Sequence, residues 1–212
     1  MPKLFLLLLI LFSQQSFSQE ARIVISANPA YLFAGNFPLY IEPVINAHLS
    51  LIGGAGLTFK EPLEEIRQDA DFDNHDLFLN RKSLPGFSLH AGVKYYLSAI
   101  TEAPKAFYLE PEYQFKNYSV NEEECDNSGN KNGKFFTESR VYHDGKVLCG
   151  YQFLSGNLAI DVFAGLGVRY STGTYGRCQE DAFGSFTYSY HIYSLQRATP
   201  IIAFGIKVGG VF

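Results

Sequence analysis

The stretch PIIAFGIKVGGVF, Pro200 to Phe212, sets Ile202, Phe204, Ile206 and Val208 on one face of an extended chain and Ala203, Gly205, Lys207 and Gly209 on the other. Successive side chains of a strand point to opposite faces, so this repeat makes one face apolar enough for lipid and leaves the other small and polar. Phe212 falls on the apolar face. A strand lying in hydrocarbon needs hydrogen-bonded neighbours, because no water is there to satisfy its N–H and C=O groups. The stretch therefore argues for a closed sheet without free edges.

Seven further segments carry the same dyad repeat. The first runs from Ile23 to Phe33, with Ile23, Ile25, Ala27, Pro29, Tyr31 and Phe33 on one face; the second, Leu39 to Ile45, alternates Leu39, Ile41, Pro43 and Ile45 with Tyr40, Glu42 and Val44. Proline removes a ladder donor, so Pro29 and Pro43 are expected to bend these strands or end their pairing. The third, Leu49 to Lys60, is rich in glycine, and the fourth, Phe87 to Leu97, sets Phe87, Leu89, Ala91, Val93, Tyr95 and Leu97 against Ser88, His90, Gly92, Lys94 and Tyr96. Segments five to seven span Phe107 to Tyr118, about Ser139 to Phe153, and Leu158 to Tyr170. The C-terminal stretch is the eighth.

The connections alternate in length. Those near Asn46–His48, Ser98–Ala106 and Leu154–Asn157 are short or moderate, whereas Glu61–Gly86, Ser119–Glu138 and Ser171–Ala198 are long and polar. Short periplasmic turns with long outer loops, on an even number of strands, place both chain ends on the periplasmic side. The first outer loop, Ala34 to Pro38, is short for this arrangement.

Lys3, the apolar run Leu4 to Phe12 and the small residues around Ser16-Phe17-Ser18 read as a cleaved export signal over residues 1–18, leaving residues 19–212 as one mature domain. The run is about half of what a membrane-spanning helix needs. Gln19 rather than Cys follows the expected cut, which argues against a lipid-anchored lipoprotein. With 14 Tyr, 19 Phe and 19 Gly but one Met and no Trp, the composition favours strands and tight turns. A net charge of −4 argues against nucleic acid as a partner, since phosphate contacts call for a clustered basic surface.

In strand rhythm, loop alternation and its terminal aromatic, the chain resembles the small eight-stranded outer-membrane barrels of the OmpA transmembrane-domain and OmpX type, including stand-alone barrel-domain proteins. Phe204, Ile206, Val208 and Phe212 resemble the C-terminal assembly signal read by the barrel-insertion machinery. The resemblance implies an all-β fold, an eight-stranded antiparallel up-and-down transmembrane β-barrel, in the outer membrane of a Gram-negative bacterium. It implies contact with outer-membrane lipid and lipopolysaccharide, a structural or surface-interaction role without catalysis or cofactor, and a protein partner met through the outer loops. A second reading is an accessory barrel of a secretion or envelope machine, similar to PorT-like barrels.

If these registers hold, Glu42, Glu110, Glu112 and Asp161 enter the lumen with Lys94, Lys116, Lys146, Arg169 and Lys207, and His90 lies nearby. An eight-stranded barrel is only wide enough for side chains to fill, so these charges are expected to pair into a polar plug. A gated pore, or an acid/base pair made of Glu110 and Glu112, is the functional alternative.

Asp69 to Asp76 looks like the opening of a calcium loop, but an EF-hand loop counted from Asp69 needs Gly and Glu where Asn74 and Asn80 stand. It reads as a solvated acidic loop, as do Glu122, Glu123, Glu124 and Asp126, with divalent-ion bridging to lipopolysaccharide as the alternative. Cys125 and Cys178 fall in two long loops on one side of the barrel and are candidates for a disulfide, with Cys149 left free on the lipid face. His191 and Ser194, considered as the core of a lipid-modifying enzyme, are three residues apart and so point to opposite strand faces. A soluble lipocalin-like carrier would turn Phe87, Leu89, Val93 and Phe204 inward onto a ligand instead of outward to lipid.

Overall fold

The structure, a computed structural model, describes residues 22–33, 35–59, 81–97, 103–128, 130–180 and 188–212. Among the described residues nine strands form one antiparallel sheet: β1 (Ile23–Ala27), β2 (Asn36–Asn46), β3 (Leu49–Thr58), β4 (Arg81–Leu84), β5 (Gly86–Tyr96), β6 (Ala106–Cys125), β7 (Lys131–Ser155), β8 (Leu158–Glu180) and β9 (Tyr188–Val211). A single helical turn, α1 (Ala30–Phe33), separates β1 from β2. Among the described residues no helix is long and apolar enough to cross a membrane.

β4 and β5 lie on the same edge of β6, pairing with Ser119–Glu122 and Tyr108–Lys116 respectively, so they are one strand position interrupted at Pro85. The sheet then closes as a ring of eight positions, β1-β2-β3-β5-β6-β7-β8-β9, with β9 returning to β1. A path across the strands from Ile25 passes through Ile41, Gly53, Ala91, Tyr113, Gly145 and Val168 to Pro200. The β9 partner of Ile25 is Gly210, ten residues further along. A stagger of this size tilts the strands by roughly 40° and leaves an interior that side chains fill.

The eight repeat segments all appear as strand positions, but three boundaries differ from the sequence reading. The first segment stays extended only to Ala27. Asn28 accepts the Ala30 N–H on its side-chain Oδ1 at 3.1 Å, and Tyr31 and Leu32 donate to the carbonyls of Asn28 and Pro29. Asn at a helix N-cap with Pro in the first helical position is a strong turn-inward signal that outweighs the alternation continuing through Phe33. The spans 119–138 and 171–198 were expected to be loops. They are largely strand, because β6 pairs with β7 out to Cys125 and Lys131 and β8 pairs with β9 out to Glu180 and Tyr188. Their polar composition reflects hairpins that stand beyond the ring rather than irregular chain. Most of 61–86, including the acidic run from Asp69 to Asp76, lies outside the described residues.

The two faces of the ring have opposite chemistry. Outside, Ile202, Phe204, Leu166 and Phe107 are 65–76% exposed, with Leu39, Leu89, Val147 and Val162 among many more. Inside, Lys94, Glu110, Gln114 and Gln152 are at most 1% exposed. Inward glycines make room for large neighbours: a Cβ on Gly150 would lie 2.4 Å from the Tyr108 hydroxyl and 2.6 Å from the Val162 carbonyl. A Cβ on Gly145 meets nothing within 4 Å. Gly150→Ala should therefore lower the unfolding free energy by about 1–3 kcal/mol through overpacking, while Gly145→Ala stays within about 0.5 kcal/mol of wild type. Urea unfolding followed by far-UV circular dichroism reads both, and equal effects would contradict the assignment of Gly150 to the packed interior.

Candidate functional site

The interior is organised around charged side chains from β2, β5, β6, β7, β8 and β9. At the end of the ring nearer Phe212, Lys94 on β5 extends its ammonium to three oxygens: Glu42 Oε2 at 2.9 Å, Gln152 Oε1 at 2.8 Å and Asp161 Oδ2 at 3.0 Å. Hydroxyls complete the acceptors' shells. Tyr96 donates to Glu42 at 2.5 Å, Ser50 donates to the same oxygen at 2.8 Å, and Tyr108 donates to Asp161 at 2.5 Å. The Lys94 ammonium also lies 4.3 Å from the Tyr108 ring centroid. Lys207 on β9 reaches Glu110 Oε1 at 3.2 Å and sits between the faces of Tyr40 and Phe163, 4.7 and 5.1 Å from their centroids.

Further along the axis, Lys146 bonds Glu112 at 2.8 Å and Gln114 at 2.9 Å. His90 Nδ1 lies 3.0 Å from Glu112 Oε1 and its Nε2 lies 3.0 Å from the Gln114 amide nitrogen. In a neutral ring these contacts place the proton on Nδ1, which donates to Glu112, and leave Nε2 to accept from Gln114. Near the mouth, Arg169 clamps Asp144 with two bonds of 2.8 and 2.9 Å, and Lys116 lies 3.5 Å from the same carboxylate. The helical turn α1 packs against β2 and β9.

All ten residues expected in the lumen are in this interior: Glu42, His90, Lys94, Glu110, Glu112, Lys116, Lys146, Asp161, Arg169 and Lys207. Asp144 joins them and was missed by the sequence reading, although it stands two residues from Lys146 and so shares its face. With it this layered set comes to five carboxylates and five cations, each within 4.0 Å of an opposite charge, while Glu110 Oε2 accepts no hydrogen bond. Tyr40, Tyr96, Tyr108, Gln114 and Gln152 were also legible by parity, but their bonding required the ring to close. Paired in this way the charges fill the space; Glu110 and Glu112 accept from separate lysines and not from a common donor.

Other sequence candidates lie elsewhere. Ile206, Val208, Phe204 and Phe212 form the outward face of β9, and Phe212 bonds Ile23 in both directions at 3.0 and 2.9 Å, tying the chain's end to the ring. Glu122 and Glu123 are not part of a solvated acidic loop. They are 2% and 9% exposed on β6, and Glu123 accepts the Gly133 N–H across the hairpin at 3.1 Å. Asp126 shapes the hairpin tip instead, accepting the N–H groups of Ser128 and Asn130. Cys125 is disulfide-bonded and Cys149 is a free, exposed thiol; the side chain of Cys178 lies outside the described ones. His191 contacts Ser189 at 2.7 Å rather than Ser194, on the exposed stem of the β8–β9 hairpin. Among the described residues no group of three or more His, Cys, Asp or Glu is arranged to hold a metal ion.

No family model, curated protein or solved structure matches the chain.

The lysine shared by two carboxylates is the most exacting element of the interior. Lys94→Met removes the cation from between Glu42 and Asp161 and leaves both buried, which should cost about 3–5 kcal/mol of folding stability. Lys116→Met, at the mouth, should cost less than about 1 kcal/mol, because Arg169 still holds Asp144. Comparing the two denaturation midpoints checks the ranking, and equal losses would show that the Lys94 cluster does not organise the core.

Proposed function

We propose that this chain is an integral outer-membrane β-barrel protein, non-enzymatic, whose role is structural or surface-interacting. The observation that carries the reading is the reversal of faces: the side chains of a water-soluble protein's core lie outside, and its surface charges lie inside, paired. On β8 the exposed apolar residues run from Leu158 through Val162, Leu166 and Val168 to Tyr170. At about 3.3 Å per residue and a tilt of roughly 40°, that band is about 30 Å tall, the height a bilayer's hydrocarbon asks for. A lipocalin-like carrier needs the opposite arrangement, an apolar interior with room for a ligand.

The interaction surface fits the two hairpins beyond the ring. The β6–β7 hairpin exposes Phe135 and the β8–β9 hairpin exposes Ile192 and Tyr193, while Phe136 and Tyr190 meet edge to face with centroids 6.2 Å apart and Glu138 accepts the Gly176 N–H at 2.9 Å, holding the two together. Paired hairpins with exposed apolar side chains suit a protein partner outside the cell, and a Cys125–Cys178 bridge would further join them. The accessory-barrel reading rests on the same hairpins.

Fractionation of cells followed by electrophoresis of boiled and unboiled samples tests the placement. The protein is expected in the outer membrane, with a mobility that changes on heating; recovery in a soluble fraction would overturn it. Val162→Arg, near the middle of the apolar band, should destabilise the protein in lipid by about 2–4 kcal/mol, whereas a soluble protein would tolerate it on its surface. Cys125→Ser and Cys178→Ser should each abolish a mobility difference between reduced and unreduced protein that Cys149→Ser leaves intact.

A further inference from the structure

The interior charges balance as a set but not layer by layer. Towards Phe212 and through the middle of the ring, Glu42, Glu110, Glu112 and Asp161 face three ammoniums, those of Lys94, Lys146 and Lys207. At the mouth the ratio reverses, since among the described residues Lys116 and Arg169 share the one carboxylate of Asp144. Arg140 and Glu138 just above them cancel each other, 3.5 Å apart. Glu122 and Glu123 are six and seven residues beyond Lys116 on β6, roughly 20 Å away at about 3.3 Å per residue. The mouth therefore carries a surplus of one positive charge, and the low-dielectric walls of the ring focus its field.

The same layer has more donors than acceptors. Arg169 gives two bonds of 2.8 and 2.9 Å to Asp144, which leaves Lys116 with that carboxylate at 3.5 Å and no other acceptor among the described residues. Asn36, at the start of β2, is 2% exposed. Its Oδ1 accepts from Ser88 at 2.9 Å, Ser88 pairs with Lys116 in the ladder, and its Nδ2 is a buried donor without an acceptor. An unmet buried donor is costly, and the oxygen of an anion meets it. Arg197 stands on β9 opposite Ser171, two residues from Thr199, the partner of Arg169, and so on the same inward face. It is exposed and has no hydrogen bond or ion pair among the described residues. The side chains of Lys116 and Arg169 keep 14% and 22% of their surface, against at most 3% for Lys94, Lys146 and Lys207, so solutes reach this charged layer and not the deeper ones.

We propose that the hairpin-side mouth of the ring binds a phosphate monoester, with Lys116 and Arg197 as its cationic contacts and the Asn36 amide as a neutral donor. The Asp144 clamp brings the two sides of the site together: Lys116 of β6 lies against the carboxylate that Arg169 of β8 grips, and Arg197 stands on the next strand. The surplus charge of the layer and the charge of Arg197 match the about −1.5 to −2 of a phosphate monoester, where a carboxylate would leave one cation unmatched. Phosphate also offers several strong acceptors, and the guanidinium fork suits them. The Tyr142 ring, 4.8 Å from Arg169 and edge-on to Tyr118 at 5.6 Å, gives the ester's organic part a surface to lie on. A free solute and a phosphorylated sugar of lipopolysaccharide carry the same group. The site needs only the closed ring, so it goes beyond the outer-membrane reading and does not depend on it.

The test is isothermal titration of the purified full-length protein in detergent, free of lipopolysaccharide, with glycerol 3-phosphate and then with inorganic phosphate, at constant ionic strength set by chloride. Wild type should take up both. Lys116→Met and Arg197→Gln should each weaken binding at least about tenfold while the far-UV circular dichroism spectrum stays that of wild type. Lys134→Gln, an exposed lysine near the tip of the β6–β7 hairpin, should leave the affinity unchanged. Should Lys116→Met not fold, Arg197→Gln decides alone. A parallel arm compares micelles of phosphorylated lipid A with the dephosphorylated form: uptake of glycerol 3-phosphate marks a solute as the source, and binding that only phosphorylated lipid A elicits marks the leaflet. Failure of wild type to bind any of these, equal weakening by Lys134→Gln, or full affinity in Arg197→Gln would each overturn the proposal. Recovery of the protein from a soluble fraction would reject the outer-membrane reading and leave the site standing.

Discussion

The rest of the structure depends on closing the sheet at a stagger of ten residues. Closure satisfies the backbone hydrogen bonds around the ring, and the stagger sets an interior whose width admits side chains and little else. Once the ring is that narrow, whatever the inward positions carry must pack against and bond to whatever lies opposite. Residues more than fifty positions apart, such as Glu42, Lys94 and Gln152, become a single cluster.

A buried charged interior is an expensive way to fill space, because each ion gives up its hydration. The compensation here is multiplicity. Lys94 meets three oxygens and two aromatic faces, Glu42 collects a lysine, a serine and a tyrosine, and Asp144 receives a bidentate guanidinium. Such clusters punish the wrong register severely: a slip of one residue would point Lys94 outward and leave its carboxylates without a cation. The charges therefore select one registration of strands whose apolar faces alone would accept several.

The same ring is weakest where its first and last strands meet. β8 and β9 pair over their whole length, yet β1 contributes five residues before Asn28 and Pro29 turn the chain inward. That turn packs α1 against β2 and β9, and above Val208 β9 has no partner in β1. One local event at the start of the chain both ends the first strand and packs a helical turn against its neighbours, so the two features are linked by the limited reach of one short segment.

By itself the sequence determined what depends on parity. Alternation in Pro200 to Phe212, Phe87 to Leu97 and Leu158 to Tyr170 decides which residues look outward, since a strand cannot turn neighbouring side chains to one face. It therefore placed Lys94, Glu110, Asp161 and Lys207 on the inward side, and would have placed Asp144 there had its face been counted with Lys146. Only the tertiary structure decided which inward charge meets which, that Glu122 and Glu123 are covered on a continuing strand, and that the first strand stops at Ala27. Those outcomes depend on the register between segments distant in the chain and on a capping Asn competing with strand pairing, and neither is written in the period of any single segment.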